Sequence, residues 1–171
     1  MFSIVAENLH WLGDTDAERA DSPGDTCLHG DVTAIIGGET LFYECSASAT
    51  ALFLLRSLYE DHDFNEWDKI LPCCGMIDFV NEETGYVVLI NCCNGKDWTV
   101  FHKGDFIELT TESGVKEMLH INDYKRVVFD FVDKIEAFYK NCNEKNISEF
   151  GDAAQNAYRS FWNEWHMLRN K

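Results

Sequence analysis

The alternation of apolar and polar residues in the first part of the chain predicts strands. A short apolar stretch at 7–14 is typical of a first strand, and a polar, acidic loop at 15–26 follows it. Two β-prone runs then flank Gly37-Gly38, which suits a two-residue turn because glycine tolerates positive φ. We therefore expect an N-terminal hairpin over Cys27–Cys45.

The apolar period changes to that of a helix at the centre of the chain and again near its C-terminal end. Apolar residues recur every three or four positions in Ser46–Asp63, in Ile121–Cys142 and in the segment that follows a polar break at 143–146. The pattern thus predicts one mid-chain helix and two C-terminal helices. The candidate N-caps are Ser46 or Ser48 for the first helix and Asn122 or Asp123 for the second.

Between the first two helices, short apolar runs are separated by polar breaks that each contain a glycine. Strands with turns at a spacing of about ten residues are typical of an antiparallel meander. Strands and helices are segregated along the chain, so we predict an α+β fold, with a curved antiparallel sheet and helices packed mainly on one face. No Pro/Gly/Ser-rich linker divides the chain, and one domain is expected over 1–171. The predicted strands are Gly75–Val80, Tyr86–Cys92, Asp97–Lys103, Asp105–Thr110 and Val115–Leu119.

The chain is strongly acidic, with a formal net charge of −16 over 171 residues. Most of this charge lies in residues 1–70, which carry 14 acidic and 3 basic side chains. Phosphate binding requires Lys and Arg, so the charge disfavours nucleic acid and also an anionic membrane surface. The same charge favours a basic protein as partner, or simply keeps a bacterial cytosolic protein soluble.

The chain shows no pattern typical of export or membrane insertion. Its N-terminus lacks a basic region followed by an apolar run, and no stretch of about 18 apolar residues occurs. Seven cysteines, an odd number without a signal peptide, are typical of a reducing compartment. We therefore expect a cytoplasmic protein with free thiols.

Two adjacent cysteine pairs, Cys73-Cys74 and Cys92-Cys93, lie at the open end of a predicted hairpin. A five-residue loop makes Cys74 face Cys92, and a six-residue loop makes Cys73 face Cys92. Successive strand residues point to opposite faces, so the pleat divides four thiols between two faces and argues against a tetrahedral metal site. We interpret them as buried structural thiols and expect no cofactor; a metal site and a redox or disulfide pair are the alternatives.

The run from residue 60 to residue 68, called the acidic segment below, combines carboxylates with two aromatic side chains. Aromatic anchors surrounded by charge are typical of protein interfaces, so the acidic segment is our predicted partner-binding site. A solvated loop is the alternative. The residues assigned to the site are Glu60, Asp61, Asp63, Phe64, Glu66, Trp67 and Asp68.

Catalytic motifs are missing from the sequence. It contains no nucleophile elbow, Walker loop or dinucleotide fingerprint, and we assign no catalytic residue. The aromatic stripe in Tyr158–Arg169 is expected to seal the core. A pocket between sheet and aromatic helices, converging on Trp98, His102 or Trp165, would instead make the chain a small-molecule-binding or enzymatic domain.

The segments LPCCG, NGKDWTV and FWNEWHMLR resemble an uncharacterised bacterial protein family. Its members share a PCCG-type turn, a DWTV-type strand and a terminal aromatic helix. The resemblance extends from about the first helix to the C-terminus and implies no activity, cofactor or catalytic residue. In size and charge the chain is also similar to acidic immunity proteins, which neutralise toxins in bacterial competition. That similarity implies a non-catalytic domain that binds and inhibits a basic toxin.

Overall fold

Antiparallel sheets and helices occupy separate stretches of the chain and give the predicted α+β fold. The structure, a computed structural model, describes residues 1–64 and 67–171. The strands are β1 (Ser3–His10), β2 (His29–Ile36), β3 (Glu39–Ser46), β4 (Leu71–Pro72), β5 (Met76–Val80), β6 (Val87–Ile90), β7 (Gly95–Lys96), β8 (Trp98–Lys103), β9 (Phe106–Thr111) and β10 (Lys116–His120). The helices are α1 (Asp16–Ala20), α2 (Ala47–Ser57), α3 (Ile121–Asn141) and α4 (Asp152–Asn170), with a 3₁₀ turn at Ile147–Glu149.

The predicted N-terminal hairpin is present and forms a three-stranded sheet in the order β1-β2-β3. Gly37 and Gly38 make its turn with φ values of 58° and 89°, a conformation that glycine adopts at low cost. The first strand begins at Ser3, earlier than the predicted stretch at 7–14. The alternation of buried residues already starts with Ile4 and Ala6, and it places these side chains on the core.

The predicted five-strand meander is wrong as a continuous sheet. Its last three strands form one sheet in the order β10-β9-β8, whereas β5 and β6 form a separate hairpin beside α4. The two-residue strands β4 and β7 pair with each other and contact β3. Polar and cysteine residues at 91–94 interrupt the ladder, so the chain changes direction there and does not continue into β8.

Helix α2 lies at the centre of the fold, and ten of its eleven residues are buried. Ser46 caps it as predicted, because its side chain accepts a hydrogen bond from the Ala49 amide. The helix ends at Ser57, before the predicted end at Asp63, so the acidic run lies outside the last turn and does not oppose the helix dipole. Helix α1 lies in the predicted loop at 15–26.

Helix α3 begins as predicted, but its cap differs from the predicted Asn122 or Asp123. His120 is the N-cap residue, and its ring accepts a hydrogen bond from the Asn122 amide. The apolar stripes of α3 and α4 lie in the same core cluster as α2 and the two three-stranded sheets. Its largest fully buried side chains include Phe2, Trp11, Trp98, Tyr124, Phe161 and Trp165. Each such ring contributes about 2–3 kcal/mol through the hydrophobic effect.

None of the helices in the described ranges has the length and apolarity needed to cross a lipid bilayer.

Candidate functional site

The acidic segment follows α2. Its residue His62 binds β8, and Ile70, two residues beyond the segment, binds Asp97, the residue before β8. His62 and Val100 exchange backbone hydrogen bonds of 2.9 and 2.8 Å. The carboxylate of Asp97, which is 1% exposed, accepts hydrogen bonds from His62 Nε2 at 2.8 Å and from the Ile70 amide at 3.1 Å. One buried carboxylate therefore holds residues on both sides of residues 63–69.

Asp97 was not predicted as a site residue, because its role depends on contacts with residues 27 and 35 positions away. The available signal was a single acidic residue at the start of an apolar strand, within the segment NGKDWTV. An acidic side chain at such a buried position must have hydrogen-bond donors nearby.

The carboxylates of the acidic segment contact the two neighbouring β-units. Asp61 Oδ1 accepts hydrogen bonds from the backbone amide and Nδ1 of His102, at 2.8 and 2.7 Å. The hydrogen bond from the His102 amide lowers the pKa of Asp61 most, and the hydrogen bond from the His102 ring lowers it further. Tyr86 Oη donates to Glu60 at 2.7 Å. Asn91 Nδ2 donates to Asp68 at 3.1 Å.

Two aromatic side chains of the acidic segment face solvent. Phe64 is 46% exposed and Trp67 is 55% exposed. Asp63 accepts a hydrogen bond from the Phe64 amide at 2.8 Å, and a depression of about 330 Å³ lies beside the Phe64 ring. Glu66, the remaining predicted site residue, lies outside the described residues. The structure thus combines exposed aromatic rings with carboxylates on a segment that is fixed at both ends.

The thiols of Cys73, Cys74 and Cys92 form a second candidate site, called the thiol cluster below. Their three sulfur atoms lie within 4.8 Å of one another, and Cys74 Sγ is 3.5 Å from Cys92 Sγ. Cys74 faces Cys92 as the five-residue loop predicts, since Met76 pairs with Ile90. The loop itself has six residues, because a shift between Ile77 and Phe79 makes Val80 pair with Val87.

The prediction that the strand pleat separates Cys73 from Cys74 and Cys92 is wrong. Residues 73–75 lie between β4 and β5, where strand alternation does not apply. The expectation of buried thiols is also wrong for this region. Cys74 and Cys93 are exposed, and Cys73 and Cys92 are half-buried.

Cys74 and Cys92 differ in the pKa of their thiols. Cys74 donates a hydrogen bond to Cys92, and this bond, with desolvation, raises the pKa of Cys74 to about 12. The pKa of Cys92 is lowered, first by a backbone hydrogen bond from Asn94 and then by the bond from Cys74. Cys92 therefore has the more stable thiolate of the two.

A cleft of about 550 Å³ runs past the thiol cluster, between the first sheet, residues 73–78 and α4. Cys73, Cys74, Cys27 and His29 contribute to its lining. Within the described residues, His29 Nε2 is buried without a hydrogen-bond partner, and burial lowers the pKa of this ring. The cleft does not converge on Trp98, His102 or Trp165, the residues of the predicted pocket, because none of them lines it.

Comparisons of the chain with protein-family models, with curated proteins and with solved structures find no match. The function is therefore argued from the residues themselves.

Proposed function

We propose that the chain is a non-catalytic protein-binding domain whose acidic segment binds a basic protein. In its most specific form the proposal is an immunity-type inhibitor of a basic toxin, acting in the cytoplasm of a bacterium. The observation that carries the proposal is the exposure of Phe64 and Trp67 among carboxylates, on a segment that Asp97 fixes at both ends.

The two exposed aromatic residues are the expected anchors of such an interface. An aromatic side chain buries about 150–250 Å² and loses little conformational entropy, which is why a few such residues supply most of the binding energy in many complexes. Because the hydrogen bonds of Asp97 already hold His62 and Ile70, binding costs less ordering of the acidic segment than it would in a mobile loop.

The charge of the chain supports a basic partner. The formal net charge is −16, and residues 1–70 contribute −11 of it. Charge of this size accelerates the encounter with a positively charged protein and disfavours acidic competitors.

The test compares a double variant of the acidic segment with a matched pair of exposed aromatic residues elsewhere. The variant Phe64→Ala/Trp67→Ala removes the anchors, and Phe42→Ala/Phe106→Ala removes rings that are 56% and 45% exposed on β3 and β9. Immobilised wild-type chain captures proteins from its own host, and a retained protein is then purified and titrated by calorimetry. We expect the first variant to weaken binding by about 100-fold or more and the control to bind like the wild type.

Salt separates the charge argument from a purely apolar contact. The measured affinity should fall steeply between low and physiological ionic strength, since exposed charges are screened over about 8–10 Å. An acidic partner, an affinity that does not depend on salt, or equal binding by both double variants would each overturn the proposal.

A second candidate function is the binding of a small molecule in the cleft. Its volume of about 550 Å³ is within the usual range for ligand pockets, and His29 Nε2 is an unpaired acceptor or donor in its wall. A compound screen that follows the melting temperature tests this function. A ligand should stabilise the wild type and lose its effect in His29→Phe; a screen without a stabilising compound counts against it.

A further inference from the structure

The backbone around Cys73 and Cys74 is fixed on both sides. On one side β4 pairs with β7, and the Cys73 amide donates to the Asn94 carbonyl at 3.1 Å. On the other side Gly75 packs so closely on the start of α2 that an added Cβ would lie 2.3 Å from the Ala49 Cβ. The two thiols therefore lie on a short stretch that has little freedom to move apart.

The distances between the sulfur atoms match those of a metal–thiolate centre. Zinc–sulfur bonds of about 2.3 Å in tetrahedral geometry separate two thiolates by about 3.8 Å. The observed separations are 3.5 Å for Cys74 and Cys92 and at most 4.8 Å for any pair in the cluster. Shifts of about 1 Å or less bring all three to bonding positions.

Three of the four thiols outside the cluster have partners of a different kind. Cys27 contacts the Ser46 hydroxyl at 3.0 Å, and Cys45 contacts the Thr50 hydroxyl at 3.6 Å; both are buried core residues. Cys142 accepts a hydrogen bond from the Trp11 indole at 3.4 Å. In the thiol cluster, by contrast, sulfur faces sulfur on a half-exposed surface that ions can reach.

A disulfide is the other chemistry open to facing thiols. It would join the sulfur atoms of Cys74 and Cys92 at about 2.05 Å. It would not explain why the Cys73 thiol lies beside the same two sulfur atoms. Three converging soft donors that can lose their protons are instead what a thiophilic cation requires.

We infer that Cys73, Cys74 and Cys92 form a three-thiolate site for one Zn²⁺ ion, with the fourth coordination position facing solvent. Each thiol loses its proton to water when the ion binds. One Zn²⁺ and three thiols therefore give a complex with a charge of −1 and release three protons. The ion would connect the β4–β7 ribbon to the β5–β6 hairpin at the edge of the cleft. This inference is independent of the proposed protein-binding function.

The test measures zinc affinity in competition with a chromophoric chelator, using full-length chain kept reduced by a phosphine. Wild-type chain should bind one zinc ion, and Cys92→Ser should weaken binding by about 100-fold or more because one of three first-sphere ligands is lost. Cys93→Ser, at the adjacent exposed thiol outside the cluster, is the matched control and should retain the wild-type affinity.

Substitution with Co²⁺ identifies the donor atoms directly. The wild type and Cys93→Ser should show intense sulfur-to-cobalt charge-transfer absorption, and Cys92→Ser should lose much of it. Circular dichroism of each variant shows whether it is folded. No binding of zinc by the folded, reduced wild type, equal binding by Cys92→Ser, or loss of binding in Cys93→Ser would overturn the assigned site. Isolation of the chain with a Cys74–Cys92 disulfide that excludes zinc would also overturn it.

Discussion

At the scale of single residues, buried polar groups decide how the surface segments are held. Asp97 holds the acidic segment, and Glu164 holds the hairpin of β5 and β6, since its carboxylate binds both Arg56 and the Val87 amide. The sequence predicted local partners such as the cap Ser46, which depends on residues three positions away. It could not predict that Glu164 pairs with Arg56, because they lie 108 positions apart and no spacing in the sequence connects them.

The ion pair of Arg56 and Glu164 gives a prediction about stability. Glu164 is 4% exposed and accepts hydrogen bonds from Arg56 Nε at 2.6 Å and from the Val87 amide at 2.8 Å. We expect Glu164→Gln to lower the free energy of unfolding by about 3 kcal/mol, because it leaves a partly buried guanidinium without its counter-charge. Asp133→Asn, which breaks the exposed pair with Arg169, should cost at most about 1 kcal/mol. Urea unfolding measures both, and similar costs would contradict the argument.

The buried thiol of Cys27 gives a prediction about pH. Desolvation raises its pKa from 9.0 to about 11 in the folded chain. As the pH rises, the Cys27 thiol ionises in the unfolded chain before it does in the folded chain, and this favours unfolding. The stability that the neutral buried thiol supports is therefore fully present below pH 9 and is lost as the pH rises towards 11. Cys27→Ala should therefore lose about 1.3 kcal/mol less stability than the wild type between pH 8 and pH 10. Cys93→Ala, at an exposed thiol, is the control. Parallel curves for Cys27→Ala and wild type would contradict the prediction.

At the scale of elements, periodicity located the long helices and the hairpins, and it failed where tertiary contacts set an element's end. Helix α2 stops at Ser57, and His62, five positions later, pairs with Val100 of β8; that long-range pairing leaves no local signal. Helix α1 is held by a capping box of Thr15 and Glu18 within five residues, too few for a period to show. The sequence predicted that the two cysteine pairs meet, but it placed Cys73 on the opposite face from Cys74 and Cys92, because the alternation of a strand was assumed at 73–75.

The turn at Gly75 gives a prediction at this scale. A Cβ at residue 75 would lie 2.3 Å from the Ala49 Cβ and 2.6 Å from the Ser46 hydroxyl, both at the fixed start of α2. Gly75→Ala should therefore destabilise the fold by about 1–3 kcal/mol through overpacking. Gly24→Ala meets no atom within 4 Å and should change stability by less than about 0.5 kcal/mol. Thermal unfolding of the two variants checks the contrast, and a neutral Gly75→Ala would contradict the packing seen here.

At the scale of the whole molecule, the α+β class followed from the segregation of strands and helices, and this prediction is confirmed. The division of the strands into two three-stranded sheets and two two-stranded ribbons could not be predicted from the sequence. Apolar runs that are adjacent in the sequence contain no signal that shows which strands pair with each other. Net charge was readable from composition, but where charge and exposed aromatic rings coincide depends on the folded surface. The acidic segment is the place where Phe64 and Trp67 meet both conditions.

Amide hydrogen exchange locates the interface on the chain. Exchange is measured on the wild-type chain alone and with a saturating amount of the basic protein that it captures. If the acidic segment is the interface, its amides should exchange more slowly in the complex, and so should those of Ile70 and Val100, which bind Asp97 and His62. The amides of Cys27 and His29, at the cleft, should change little. Slower exchange at the cleft alone, with the acidic segment exchanging as fast as in the free chain, would show that the basic protein binds elsewhere.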